Sequence, residues 1–301
     1  VRKTYKLFVG GTFLRSESGR SYRVTAAAGG FLANAAMASC EDARDAVVAA
    51  RAAFAAWAGA TAYHRGQVLY RVAEMMEGRR GQFVDEVARA EGLDADRAAP
   101  VVDAAVDRWV WYAGWTDKIA QVAGSANPVA GPYVNLSVPE PTGVVAVLAP
   151  QRSSLLGLVS VVAPVLAAGN ACVVLASQTR PLPAVTLSEV LATSDVPGGV
   201  VNLLTGVTAE IAPWLASHED VDVLDLTGAA PVPGIDGSGL DWGALEAAAA
   251  ATLTRVVRPA GSGPAADPAG AVEPDWTPTP DGPRRILAFT ETKTVWHPKG
   301  R

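Results

Sequence analysis

Two sulfurs and three imidazoles are the first groups to weigh for chemistry in this sequence. Cys40 and Cys172 lie far apart, so they spell neither a disulfide framework nor a cysteine metal motif. His64, His218 and His297 never fall at ligand spacing with a cysteine or a carboxylate cluster, and no metal is expected. A thiol acts as a nucleophile only where it can ionise. Cys172 sits inside the apolar run Ala171–Ala176 and Cys40 directly precedes a helical pattern, so both read as structural. Trp109, Trp111, Tyr112 and Trp115 suggest an aromatic platform, but their helical spacing fits core packing better.

The elements that would position these groups follow from periodicity. Leu7-Phe-Val-Gly-Gly-Thr-Phe reads as a hairpin turning at Gly10-Gly11. Ser39 offers a helix N-cap and Asp42 its reciprocal partner, with Val47, Ala50, Phe54 and Trp57 on one helical face. A second helix carries Val68 to Met76, a third covers Phe83–Arg89, and a fourth is expected over Val101–Ile119. From Val144 the texture changes to short apolar runs alternating with helical stretches. Strands are expected near Val144–Ala149, Ala171–Ala176, Val200–Leu204, Val221–Leu226 and Arg255–Arg258. That alternation predicts an α/β fold with a parallel sheet covered by helices. Residues 261–283 are rich in Pro, Gly, Ala and Asp and read as a mobile linker. Arg285–Trp296 then returns to strand character, and a lone strand must pair with a sheet edge in this chain or another.

The 301 residues carry a net charge of −5 and no basic stripe, which argues against a nucleic-acid partner. The apolar run Val144–Ala149 is far shorter than the ~20 residues of a membrane-spanning helix, so no membrane partner is expected. The opening Val1–Phe8 has no apolar signal core, and a cytoplasmic setting is the expectation.

The order of motifs resembles the aldehyde dehydrogenase superfamily. Leu7-Phe-Val-Gly-Gly is similar to its first hairpin, Glu41–Trp57 to its first long helix, and Trp111-Tyr-Ala-Gly-Trp-Thr-Asp-Lys-Ile to the aromatic segment before its oligomerisation hairpin. Pro139-Glu-Pro-Thr-Gly-Val-Val-Ala-Val, Pro164-Val-Leu-Ala-Ala-Gly-Asn, Pro197–Gly206 and Leu226-Thr-Gly resemble pieces of its nucleotide-binding sheet. Phe289-Thr-Glu-Thr-Lys-Thr-Val-Trp resembles its last strand. The resemblance implies a Rossmann-like dinucleotide-binding domain over residues 1–125 and 141–260. It implies an antiparallel oligomerisation hairpin over 126–140 and a C-terminal strand over 284–298, with the 261–283 linker standing where the family has its catalytic domain.

The family's chemistry implies four groups: a cysteine nucleophile, an oxyanion donor, a general base and a nicotinamide. Here neither cysteine aligns with the nucleophile, Arg152 takes the place of the oxyanion-binding Asn, and Pro259 takes the place of the basic Glu. Leu175 and Gln178 stand where a Lys and a Glu would clamp the adenosine ribose. Thr227 and Gly228 survive from the phosphate turn, but Ala229, Pro231 and Pro233 remove donors from it. The resemblance therefore implies no catalytic residue, with Gln178, Thr227 and Gly228 as the remaining cofactor contacts, and no cofactor or weak NAD(P) binding. It also implies that Phe289, Glu291, Lys293, Val295 and Trp296 form an interface in which the strand joins a partner subunit's sheet. The expectation is a non-catalytic subunit that assembles with a full-length aldehyde dehydrogenase, or with itself, and stabilises, scaffolds or regulates it. The alternatives are a residual NAD(P)-binding sensor and a chain contributing to aldehyde oxidation only within a complex.

Overall fold

The computed structural model describes residues 3–230, 240–259 and 273–299. The chain opens with β1 (Thr4–Tyr5), β2 (Leu7–Val9), β3 (Thr12–Leu14), β4 (Ser21–Thr25) and β5 (Phe31–Ala36). Five helices follow: α1 (Cys40–Gly59), α2 (Ala62–Glu77), α3 (Arg80–Glu91), α4 (Ala95–Ala113) and α5 (Ile119–Ala123). A hairpin of β6 (Ser125–Ala126) and β7 (Tyr133–Pro141) leads into the alternating region. That region runs β8 (Val144–Leu148), α6 (Leu156–Ala167), β9 (Ala171–Leu175), α7 (Leu182–Leu191), β10 (Val201–Leu204), α8 (Thr208–Ala216), β11 (Val223–Asp225), α9 (Trp242–Ala251) and β12 (Arg255–Val257). The tail forms α10 (Arg284–Leu287) and β13 (Thr290–Pro298).

The central sheet has the order β12-β11-β8-β9-β10-β2-β3, with its first five strands parallel and the β2–β3 hairpin closing one side antiparallel. Its apolar strands are buried on both faces because side chains alternate across the pleat. Val144, Ala146 and Leu148 of β8 meet α1, α8 and α9 on one face. Val145 and Val147 meet the layer of α2, α4 and α6 on the other. The Gly10-Gly11 turn has φ values of 61° and 80°, which glycine adopts without strain. A Cβ on Gly11 would lie 2.8 Å from Gly198 Cα, so the turn can sit against the β9–β10 side only without one. The Ser39–Asp42 capping box forms as the sequence predicts.

Three expectations are corrected. The fourth helix begins earlier, at Ala95, and stops at Ala113; turns over residues 114–118 separate it from a short helix to which Ile119 belongs. The tail is not extended from Arg285: Arg284–Leu287 is helical, which sends Ile286 and Phe289 together into the core. The tail strand finds a sheet edge in its own chain, one of the two possibilities that the sequence left open. β13 pairs antiparallel with β7 of the same chain from Thr290–Pro141 through Pro298–Tyr133. Phe289 is 0 % exposed and therefore belongs to the core, not to an interface, whereas Glu291, Lys293, Val295 and Trp296 are exposed. Glu291 meets Arg255 and Lys293 meets Glu140 within the chain.

The expectation of a mobile linker over 261–283 also changes. Residues 260–272 lie outside the described residues. From Glu273 onward the segment is seated on the fold, where the Arg108 guanidinium donates to the carbonyls of Trp276 and Pro278. The phosphate-turn positions Pro231 and Pro233 also lie outside the described residues.

The tail analysis predicts a split between neighbouring aromatics. Phe289→Ala is expected to cost about 3–5 kcal/mol in urea unfolding, as a large buried side chain lost to a cavity. Trp296→Ser, on the exposed face, is expected to stay within about 0.5 kcal/mol of the parent.

Candidate functional site

Parallel α/β sheets place ligand sites beyond the carboxyl ends of their strands. Here the turn after β8 carries Arg152, the turn after β9 carries Gln178, and the turn after β11 carries Thr227 and Gly228, all at that end. The tertiary structure brings these turns together but uses their polar atoms internally. The Gln178 side-chain carbonyl accepts from Thr208 N at the start of α8, at 3.2 Å, and the Gln178 amide donates to Gln151 Oε1. The Thr227 hydroxyl donates to Asp225 Oδ1 at 2.6 Å and accepts from Arg285 Nη1 at 2.7 Å. Gly228 is needed for close approach: a Cβ would lie 2.5 Å from Leu148 O and Pro150 N. Its role is to let the β11 turn lie on the β8 turn.

Sequence reasoning missed a buried ion pair at this end of the sheet. Asp225 ends β11 at 0 % exposure and forms an ion pair with Arg285, whose guanidinium also lies over the Phe289 ring at 4.8 Å. The signal was present: an acidic residue interrupts the apolar run of β11, and a buried carboxylate requires a cation. What the one-dimensional pattern lacked was the identity of that cation, some sixty residues downstream.

A cavity of about 320 Å³ opens beside the β8 turn, lined among others by Arg152, Arg180, Glu91, Glu273 and Trp276. Arg152 is exposed, and the structure fixes it by its backbone: its amide donates to Glu273 Oε2 and its carbonyl accepts from Arg180 Nη1 at 2.6 Å. Ser153 N donates to Glu273 Oε1, and Ser154 N and Oγ both donate to Glu91 Oε1. Burial pushes the Glu91 carboxyl up, against the lowering effect of the Ser154 donors and Arg180.

No thiol lines this cavity. Cys172 is fully buried in β9, where desolvation pushes its thiol up and disfavours the thiolate. Cys40 opens α1 on the surface, its sulfur 4.0 Å from the Glu210 carbonyl. Pro259 is buried just after β12 and has no proton to exchange. Among the described residues no group of three or more His, Cys, Asp or Glu is arranged to hold a metal ion.

Among the described residues, the groups at the family's cofactor positions offer a dinucleotide little to hold. Leu175 offers no ammonium, and the Gln178 carbonyl is committed to an amide of this chain. The N-terminus of α9 is capped by Asp241, which accepts from Ala244 N and so occupies an end that would otherwise favour an anion.

Comparisons with known proteins converge on this architecture. Residues 13–234 match the model of the aldehyde dehydrogenase family. The cytosolic 10-formyltetrahydrofolate dehydrogenase of Pongo abelii is 33% identical over 244 residues, which is 77% of this chain and 26% of that protein. The mitochondrial benzaldehyde dehydrogenase of Antirrhinum majus is 32% identical over 231 residues, covering 74% of this chain and 42% of the relative. Among solved structures, PnpE from Pseudomonas sp. WBC-3 has been crystallised with nicotinamide adenine dinucleotide. That complex superposes with a TM-score of 0.77 at 26% identity, covering 86% of this chain and 51% of that one. The chain thus spans about a quarter of the first relative and about half of the solved structure.

Two outcomes follow from the site. Arg285→Ala strands Asp225 in an apolar setting and is expected to cost about 3–5 kcal/mol in denaturant unfolding. Replacing both residues by apolar ones of similar volume is expected to recover most of that loss. The second concerns pH. A carboxyl raised in the folded state binds its proton more tightly there, so its stabilising contribution is largest at low pH and is lost as pH rises through the folded value. Lowering the pH from about 7 toward about 5, still above the ordinary Glu value, is therefore expected to stabilise the parent relative to Glu91→Gln, read as the difference in urea midpoints.

Proposed function

The chain belongs to the aldehyde dehydrogenase family, and from that premise we propose that it is a non-catalytic subunit, working in the cytoplasm, that assembles with a full-length aldehyde dehydrogenase and stabilises, scaffolds or regulates it. The observation that carries the reading is the cavity at the sheet's carboxyl end. Oxidation of an aldehyde by covalent catalysis needs a thiolate there, and this cavity is lined by guanidinium, carboxylate and indole groups with no sulfur. A route through thiohemiacetal and thioester has no atom on which to begin in these residues. The proton acceptor is missing as well, with Pro259 in its place.

Assembly is supported by the opposite condition at the far sheet. β13 is the outer strand of the order β13-β7-β6, and along nine residues its far edge has no partner among the described residues. Beside it, Val134, Leu136, Val138 and Val295 share one sheet face and are all more than a third exposed. An unprotected edge next to an apolar face favours strand addition by another chain. The strand's pairing with its own β7 makes it a preformed template, so an incoming chain would not have to order it.

Binding of NAD, seen in PnpE, is carried over to this chain only as a test. The committed Gln178 carbonyl and the Asp241 cap argue for an affinity weaker than millimolar. Calorimetric titration is expected to give no saturable heat up to about 1 mM NAD or NADP. The isolated chain, given an aldehyde and NAD, is expected to produce no NADH. Mixed with a cysteine-bearing full-length aldehyde dehydrogenase, it is expected to co-elute as one species on size exclusion. Val295→Lys, a charge placed on the exposed apolar face, is expected to weaken that association by about tenfold or more, roughly 1.4 kcal/mol. A chain that stays monomeric in the mixture, or that turns over aldehyde unaided, would remove the proposal.

A further inference from the structure

The turn between β8 and α6 presents three consecutive backbone amides, and every one of them is bonded to a carboxylate from elsewhere in the chain. Glu273 spans the first two symmetrically, its two oxygens each 2.9 Å from Arg152 N and Ser153 N. Glu91 takes the third, and the Ser154 hydroxyl with it, at 2.7 Å. Two adjacent amides pointing at two oxygens of one carboxylate match the spacing of that ion, and charge-assisted bonds of this kind are the strong ones. Glu273 is delivered by a strap, Glu273–Pro278, held to the fold at two other points. Trp276 is half-buried against Gly157, and its indole N–H reaches Glu273 Oε1 at 3.3 Å. The buried Arg108 grips the strap through the Trp276 and Pro278 carbonyls and anchors itself on Ser160 Oγ at 2.6 Å.

The strap does not fill the space it covers. A cavity of about 320 Å³ remains beside Glu273, with Arg152 and Arg180 among its lining residues. Its lining also holds Glu91 and Asp275, so an anion entering there meets Arg152 and Arg180 among carboxylates and must displace one of them, Glu273, to reach the amide pair.

We propose that the Arg152–Ser153 amide pair is a carboxylate-binding site, that Glu273 is its resident ligand, and that a small free carboxylate entering the adjoining cavity exchanges with it and lifts the strap. The site is independent of how the chain assembles and of whether it binds a dinucleotide. An internal ligand lowers the apparent affinity for an external one by the fraction of time the site is free. Weakening the strap must therefore tighten binding from solution, which is the reverse of what loss of a contact residue does to an ordinary site.

The test uses the full chain, with acetate and succinate as probes and chloride at matched ionic strength as the reference. The readouts are the amide resonances of Arg152 and Ser153 and the indole resonance of Trp276. The parent chain is expected to show saturable shifts of all three, with midpoints in the millimolar range. Glu273→Gln, which keeps one acceptor oxygen but removes the charge, is expected to bind either probe about tenfold more tightly, and Trp276→Ala is expected to shift the amide midpoints in the same direction. Should Trp276→Ala fail to fold, the comparison of parent with Glu273→Gln decides alone. Shifts that only track chloride, or equal midpoints in the parent and Glu273→Gln, would overturn the assignment.

Discussion

A carboxylate without water governs the carboxyl end of the sheet. Asp225 lies at the end of β11 with no exposure, and an ionised carboxyl in such a setting is tolerated only with a cation and hydrogen bonds around it. Arg285 supplies the cation, and Thr227 supplies two donors from its hydroxyl and amide. Because Arg285 belongs to the tail, this pairing ties the tail to the sheet. Phe289 and Ile286 then bury beside it, and Asn170 ties the tail further by donating to the Phe289 carbonyl while accepting from Gly143 N. The course of β13 along β7 follows from where α10 is anchored.

That anchoring changes the meaning of the crevice above the strands. In a nucleotide-binding sheet the turns at this end leave donors free for a ligand. Here Thr227 serves the Asp225–Arg285 pair, Gln178 serves the start of α8, and the β8 turn serves Glu273 and Glu91. Each of these turns makes hydrogen bonds within the chain. Fold and site rest on different groups, since fold stability rests on apolar layers and catalysis on a few polar atoms.

The segment after Arg258 shows how composition misleads. Proline, glycine and aspartate without periodicity predict a free linker, and that prediction has a sound basis, because such a stretch cannot bury enough apolar surface by itself. Its last part is nonetheless held, by Trp276 on the surface of α6 and by the Arg108 guanidinium on two carbonyls. A single indole and one buried cation are invisible to periodicity. They matter because a proline-rich strap loses little conformational entropy when it is fixed.

The alternation of strands and helices from Val144, the parallel α/β architecture, the Gly10-Gly11 hairpin and the Ser39–Asp42 cap were all legible from residues alone. Each depends on local rules: the pleat alternates every residue, the helix repeats every 3.6, and caps act over three positions. That the Pro259 side chain can exchange no proton was equally plain, since side-chain chemistry travels with the residue. Only the tertiary structure decided that Phe289 is core and not interface, that β13 pairs within its own chain, and that Arg285 answers Asp225. It alone showed Glu273 seated on the amides of Arg152 and Ser153. These contacts join residues scores of positions apart, and a one-dimensional pattern records which groups need partners without recording which partners lie within reach.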